Sequence, residues 1–107
     1  MESQGRREYW VRLTVNGQKY RRVIIDPHFE KKHGESMNDT LILELMKRLD
    51  GKHFPAETVL DSGYKVFVND PWLLNKTAYR LIWTTHPDKN YIGVINAFRR
   101  KYGKKKQ

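Results

Sequence analysis

The stretch from Tyr9 to Ile25 leaves this chain few ways to fold. Tyr9 to Val15 reads Tyr-Trp-Val-Arg-Leu-Thr-Val, an alternation of period two. Asn16-Gly17 follows, and Gln18 to Ile25 then resumes the strand pattern. Asn and Gly tolerate the positive φ that a two-residue type I′ turn demands at both positions, so a β-hairpin is expected here. A loop of that length sets Val15 opposite Gln18, Arg12 opposite Arg21 and Trp10 opposite Val23. One face of the hairpin then carries Arg12, Lys19 and Arg21, with Trp10 beside them. Like charges facing each other destabilise a ladder slightly. An acidic partner would relieve them, as would two guanidiniums diverging into water.

Asp26-Pro27 ends the second strand, and His28 to His33 could form a short helix with Pro27 at its first position. Ser36 is placed to cap a main helix over 37–50, with Asp39 three residues on. Leu41, Ile42, Leu45, Met46 and Leu49 form its apolar stripe, and Asp50-Gly51 stops it. From Gly63 the period returns to two, with strands expected at Tyr64 to Val68, Trp72 to Leu74, Tyr79 to Thr84 and Tyr91 to Arg99. Turns are expected at Asn75-Lys76 and over 87–90. Tyr79, Leu81 and Trp83 share one face and Arg80 the other. In the last strand Ile92, Val94 and Phe98 fall on one side and Tyr91, Ile95 and Ala97 on the other, the pattern of a central strand. The expected fold is therefore α+β. An antiparallel sheet, made of the N-terminal hairpin plus three C-terminal strands, packs on one main helix and a short preceding helix. The 107 residues suit a single domain, with 1–7 and 103–107 expected to be flexible ends.

Charge is the strongest functional clue. Residues 1–25 carry a net +4 and 99–107 a net +6, while the middle of the chain is nearly neutral, within a total of +9. A surface for a polyanion is expected where the two ends meet, including the run Lys104-Lys105-Lys106. The absence of Cys rules out disulfides, thiolate metal sites and a cysteine nucleophile, and favours a reducing compartment. No apolar run approaches a membrane span and the first residues lack a signal-peptide core, so the expectation is a cytoplasmic protein without membrane contact. His28 and His33 are five apart with no metal-spaced carboxylates around them, so no metal is expected. No phosphate loop or nucleophile elbow occurs, and no cofactor is expected.

What remains is chemistry that needs no metal: cleavage of RNA by its own 2′-hydroxyl. This needs a base, an acid and cations for the phosphorane. Arg80, Arg99, Arg100, Tyr102 and Lys31 supply such groups, with His28 or His33 as the base.

Ala78 to Trp83, reading Ala-Tyr-Arg-Leu-Ile-Trp, is followed by a tight turn and by Tyr91 to Arg100, reading Tyr-Ile-Gly-Val-Ile-Asn-Ala-Phe-Arg-Arg. This arrangement resembles the RelE/ParE superfamily of bacterial toxins and, more loosely, the barnase-like and RelE-like RNases, over roughly 23–102. The Tyr79-Arg80-Leu81 triplet is its most specific piece. The resemblance implies that Arg80 binds phosphate, that Arg99 or Arg100 is a second basic residue, that Tyr102 is a C-terminal aromatic, and that Lys31 and Lys32 are basic residues of a first helix. It also implies an RNA target, such as ribosome-bound mRNA, and a cognate acidic antitoxin. Three functions follow as expectations: a toxin-type endoribonuclease; a non-catalytic nucleic-acid binder using Trp10, Arg12, Lys19, Arg21, Lys31, Lys32, Lys104 and Lys105; or an interaction module for an acidic protein.

Overall fold

The computed structural model describes residues 6–26 and 37–100. Six strands form one sheet: β1 (Arg7–Val15), β2 (Gln18–Ile25), β3 (Thr58–Val59), β4 (Lys65–Leu74), β5 (Thr77–Thr85) and β6 (Tyr91–Arg99). Their order across the sheet is β1-β2-β6-β5-β4-β3. A single helix among the described residues, α1 (Asp39–Lys47), lies between β2 and β3 in the chain.

The hairpin forms as its sequence requires. Asn16 and Gly17 sit at φ 54 and 79, and Val15 pairs with Gln18. The register holds through Leu13 and Tyr20, and a bulge then sets Val11 and Arg12 against Arg21 alone. Trp10 consequently pairs with Arg22 and not with Val23. The bulge also breaks the alternation of β2. Tyr20, Val23 and Ile25 are all buried, while Arg21 and Arg22 both stay out of the core.

The expected all-antiparallel sheet on two helices is corrected. Strand accounts for 56% of the structure and helix for 11%, so the sheet itself carries the fold. That sheet is mixed, because β2 pairs with β6 in parallel, Val23 beside Ile92 and Ile25 beside Val94. This register lines up the inward apolar residues of both strands as one strip. Parallel pairing needs a long crossover, and the segment carrying α1, β3, β4 and β5 provides it. The expected short helix over His28 to His33 lies outside the described residues.

β4 runs unbroken through Asp70-Pro71, where a break was expected, and the peptide there is cis. The register shifts at this point, so Asp70 and Pro71 together oppose Arg80. Proline, which lacks an N–H, is tolerated in a sheet at such a bulge. A third bulge places Ile95 between two register-matched pairs on β6. It turns Ala97 inward beside Ile92 and Val94, and Phe98 outward opposite Arg80, the reverse of strict alternation.

Helix α1 covers one face of the sheet. Its cap is Asn38, not Ser36: the Asn38 side chain accepts from the Leu41 N–H at 2.8 Å. Ile42, Leu45, Met46 and Leu49 are fully buried and share one core with Val23, Ile25, Leu81, Trp83 and Ile92. The Trp72 indole N–H donates to the Leu45 carbonyl at 3.0 Å, tying β4 to the helix.

At the other end of α1, Asp39 accepts from the Arg7 guanidinium and the Tyr9 hydroxyl, anchoring β1, so Arg7 is part of the folded structure and not of a flexible end. Burial pushes the Asp39 carboxyl upward, but the hydrogen bonds from Arg7 and Tyr9 and the Arg7 charge outweigh it and hold it below the ordinary range. A depressed folded-state value contributes stability that is complete above the ordinary carboxylate pKa of about 3.9 and is lost as pH falls below it. Asp39→Asn should therefore cost about 1.5 kcal/mol at neutral pH and flatten the loss of stability below about pH 4. Urea titrations of both proteins at pH 7 and pH 3 check this, and an unchanged acid profile would remove Asp39 as its source.

Candidate nucleic-acid interface

Arg12, Lys19 and Arg21 converge at the hairpin. With Thr14, Tyr20 and Asp50 they line a groove of about 350 Å³. None of the three cations forms an ion pair among the described residues. Asp50, the acid in the groove, accepts from the Thr14 N–H at 2.7 Å and so serves the edge of β1. The groove thus carries three cations against one carboxylate.

Trp10 stands beside this cluster with 78% of its surface exposed. The pairing continues from it across the sheet: Trp10 lies opposite Arg22, and Arg22 opposite Tyr91. Arg22 itself is held. Its guanidinium bonds the Glu8 carboxylate, donates to the Asn90 side chain at 3.0 Å and sits 5.5 Å from the centre of the Tyr91 ring. Arg22 is thereby fixed between two aromatic residues. Sequence reasoning missed Arg22 and Tyr91 because only the bulge between β1 and β2 and the parallel β2–β6 pairing bring them into one row with Trp10.

The C-terminal cations go elsewhere. Arg22 is level with Tyr91, and Arg99 is eight residues further along β6, a distance of about 25 Å at ~3.3 Å per residue. The hairpin cations and Arg99 therefore form separate clusters. Arg80 and Arg100 do converge, on the Asp70 carboxylate, at 2.8 and 3.4 Å. Asp70 is the more deeply placed partner, with its side chain 13% exposed against 35% for each arginine. Arg99 pairs with buried Tyr79 and so projects to the opposite face from Arg80, whose cross-strand neighbour is Phe98. Asp70 was not anticipated, although an Asp-Pro step inside a strand-like run is a recognisable bulge signal.

His28, His33, Lys31, Lys32, Tyr102, Lys104 and Lys105 lie outside the described residues. Among the described residues no group of three His, Asp or Glu could hold a metal ion, and no helix is long and apolar enough to cross a membrane. No family model matches the chain, and it matches no curated protein and no solved structure.

Proposed function

We propose that this protein binds single-stranded nucleic acid, RNA in particular, through the β1–β2 hairpin and the sheet face beside it. The observation that carries the reading is an indole left 78% exposed next to three cations that form no ion pair among the described residues. Cations in a groove track phosphates, and exposed aromatic rings stack on bases, each stack being worth about 1–3 kcal/mol. Bases are available for stacking on a sheet only when they are not already stacked in a duplex, which favours a single strand. A toxin-type ribonuclease draws support from the meeting of Arg80 and Arg100. The group they share is a carboxylate, however, which occupies both guanidiniums, and Arg99 faces away.

The test is binding of a fluorescently labelled 12-nucleotide RNA in EDTA across a salt series, with the RNA recovered and sized afterwards. Binding that weakens linearly with log salt, is poorer for the matching duplex and leaves the RNA intact is the expected result. RNA cut in EDTA and spared by Arg80→Ala would establish the nuclease instead, and absent or salt-insensitive binding would overturn both.

A further inference from the structure

A second feature of the same sheet face lies two residues beyond Tyr91. Gly93 occupies the middle of β6, between Ile24 of β2 and Thr84 of β5. With no side chain there, the sheet carries a cup of about 290 Å³ lined by Tyr64, Tyr91, Ile24 and Ile95 together with one cation, Arg6, and one carboxylate, Asp26. A Cβ at Gly93 would come within 3.1 Å of the Thr84 methyl and 3.9 Å of the Tyr91 ring, so any other residue would fill the floor. Glycine weakens a strand interior, and one often marks a place where a ligand approaches the backbone closely. The volume sits at the foot of the range for small-molecule sites, about 300–1,000 Å³, which suits one planar ring.

Two of the polar groups in the cup bond each other. The Tyr64 and Tyr91 hydroxyls lie 2.9 Å apart. Two phenols hold two protons, and their mutual bond uses one, so the pair keeps a second proton to donate. The hydrogen bond from Tyr64, followed by burial, raises the Tyr91 pKa above that of an ordinary phenol, so Tyr91 keeps its proton at neutral pH. The row Trp10, Arg22, Tyr91 spans three neighbouring strands, or about 10 Å at ~4.8 Å per strand. It leads from the hairpin directly to the cup.

We propose that this cup receives one unstacked nucleobase of a strand held at the hairpin. The base would lie over Gly93, accept from the tyrosine pair and be followed by a neighbour on Trp10. The assignment rests on the single-strand reading above. It names where that reading's base recognition takes place, as distinct from phosphate binding.

Two probes separate these contributions: the 12-nucleotide RNA, and inorganic polyphosphate of similar charge, which carries phosphates and no bases. Gly93→Ala and Tyr91→Leu should each weaken RNA binding about tenfold, and Tyr64→Phe, which keeps the shape and removes a hydroxyl, about threefold. All three should leave polyphosphate binding within about twofold of the parent. Thermal melts identify any variant that fails to fold, and Tyr64→Phe provides the decision if Gly93→Ala does so. RNA binding unchanged in the folded variants, or an equal loss on both probes, overturns the cup while the hairpin reading stands. A parent protein that binds polyphosphate and not RNA overturns both.

Discussion

Replacing Trp83 with alanine should cost the fold about 4 kcal/mol, the largest loss expected from any single substitution in the described core. Trp83 is completely buried on β5. Its ring stacks on Phe67 with centroids 4.1 Å apart and planes 11° from parallel, and Phe54 meets it edge-on at 5.7 Å. Its indole N–H donates to the Asn69 side-chain oxygen at 2.8 Å, and Asn69 is itself buried. Alanine removes the ring from between two aromatics that cannot both collapse into the space, and it orphans a buried amide, which supplies about 1–3 kcal/mol of that loss. A domain of this size has only about 5–15 kcal/mol in total, so much of the variant should be unfolded at 37 °C. Trp83→Phe keeps most of the packing and loses the hydrogen bond, and should cost about 2 kcal/mol. Urea unfolding followed by circular dichroism measures both. A loss below about 1 kcal/mol for Trp83→Ala would mean that the core is not organised around this ring.

The same residue shows what could be read from the sequence. Tyr79, Leu81 and Trp83 alternate strictly, and all three are buried as that alternation requires. The stripe Ile42, Leu45 and Met46 likewise fixes the buried face of α1, with Leu49 buried just beyond it, and Asn16-Gly17 fixes the hairpin turn. Each of these is a local pattern. The parallel pairing of β2 with β6 is not, because it depends on which of two compatible edges meets β2 after a crossover of more than sixty residues. A strand with an apolar inner face fits either direction, so periodicity could not choose.

Bulges account for most of the remaining differences. A single extra residue reverses which side chains face the core beyond it. Where β1 meets β2 the shift leaves Arg21 and Arg22 both outside, at β4 it brings Asp70 to Arg80, and at β6 it exchanges Ala97 for Phe98. The candidate site was therefore legible in its parts, Trp10 with Arg12, Lys19 and Arg21, and illegible in its extent. The expected union of the two basic ends depended on an arrangement of strands that the parallel pairing rules out for Arg99 and Arg100.

The second large effect follows from the hairpin cations. Arg12, Lys19 and Arg21 project from a strand pair whose fold depends on Leu13, Val15, Tyr20 and Val23, not on the charges themselves. Their joint replacement by alanine should leave the melting temperature nearly unchanged, or raise it slightly, since mutual repulsion in the groove is removed. Binding should behave differently. Each phosphate neutralised on a single strand contributes about −0.7 to the slope of log K against log salt. Losing three contacts should flatten that slope by about 2 and weaken binding at 0.1 M salt by about 100-fold. Trp10→Ala is the complementary variant. It removes a stacking surface and no charge, so it should weaken binding about tenfold with the slope intact. Loss of affinity with an unaltered slope in the triple variant would show that these cations do not meet phosphates, and would point the groove toward an acidic protein surface. A change of slope in Trp10→Ala would show that the indole positions a neighbouring cation and does not stack.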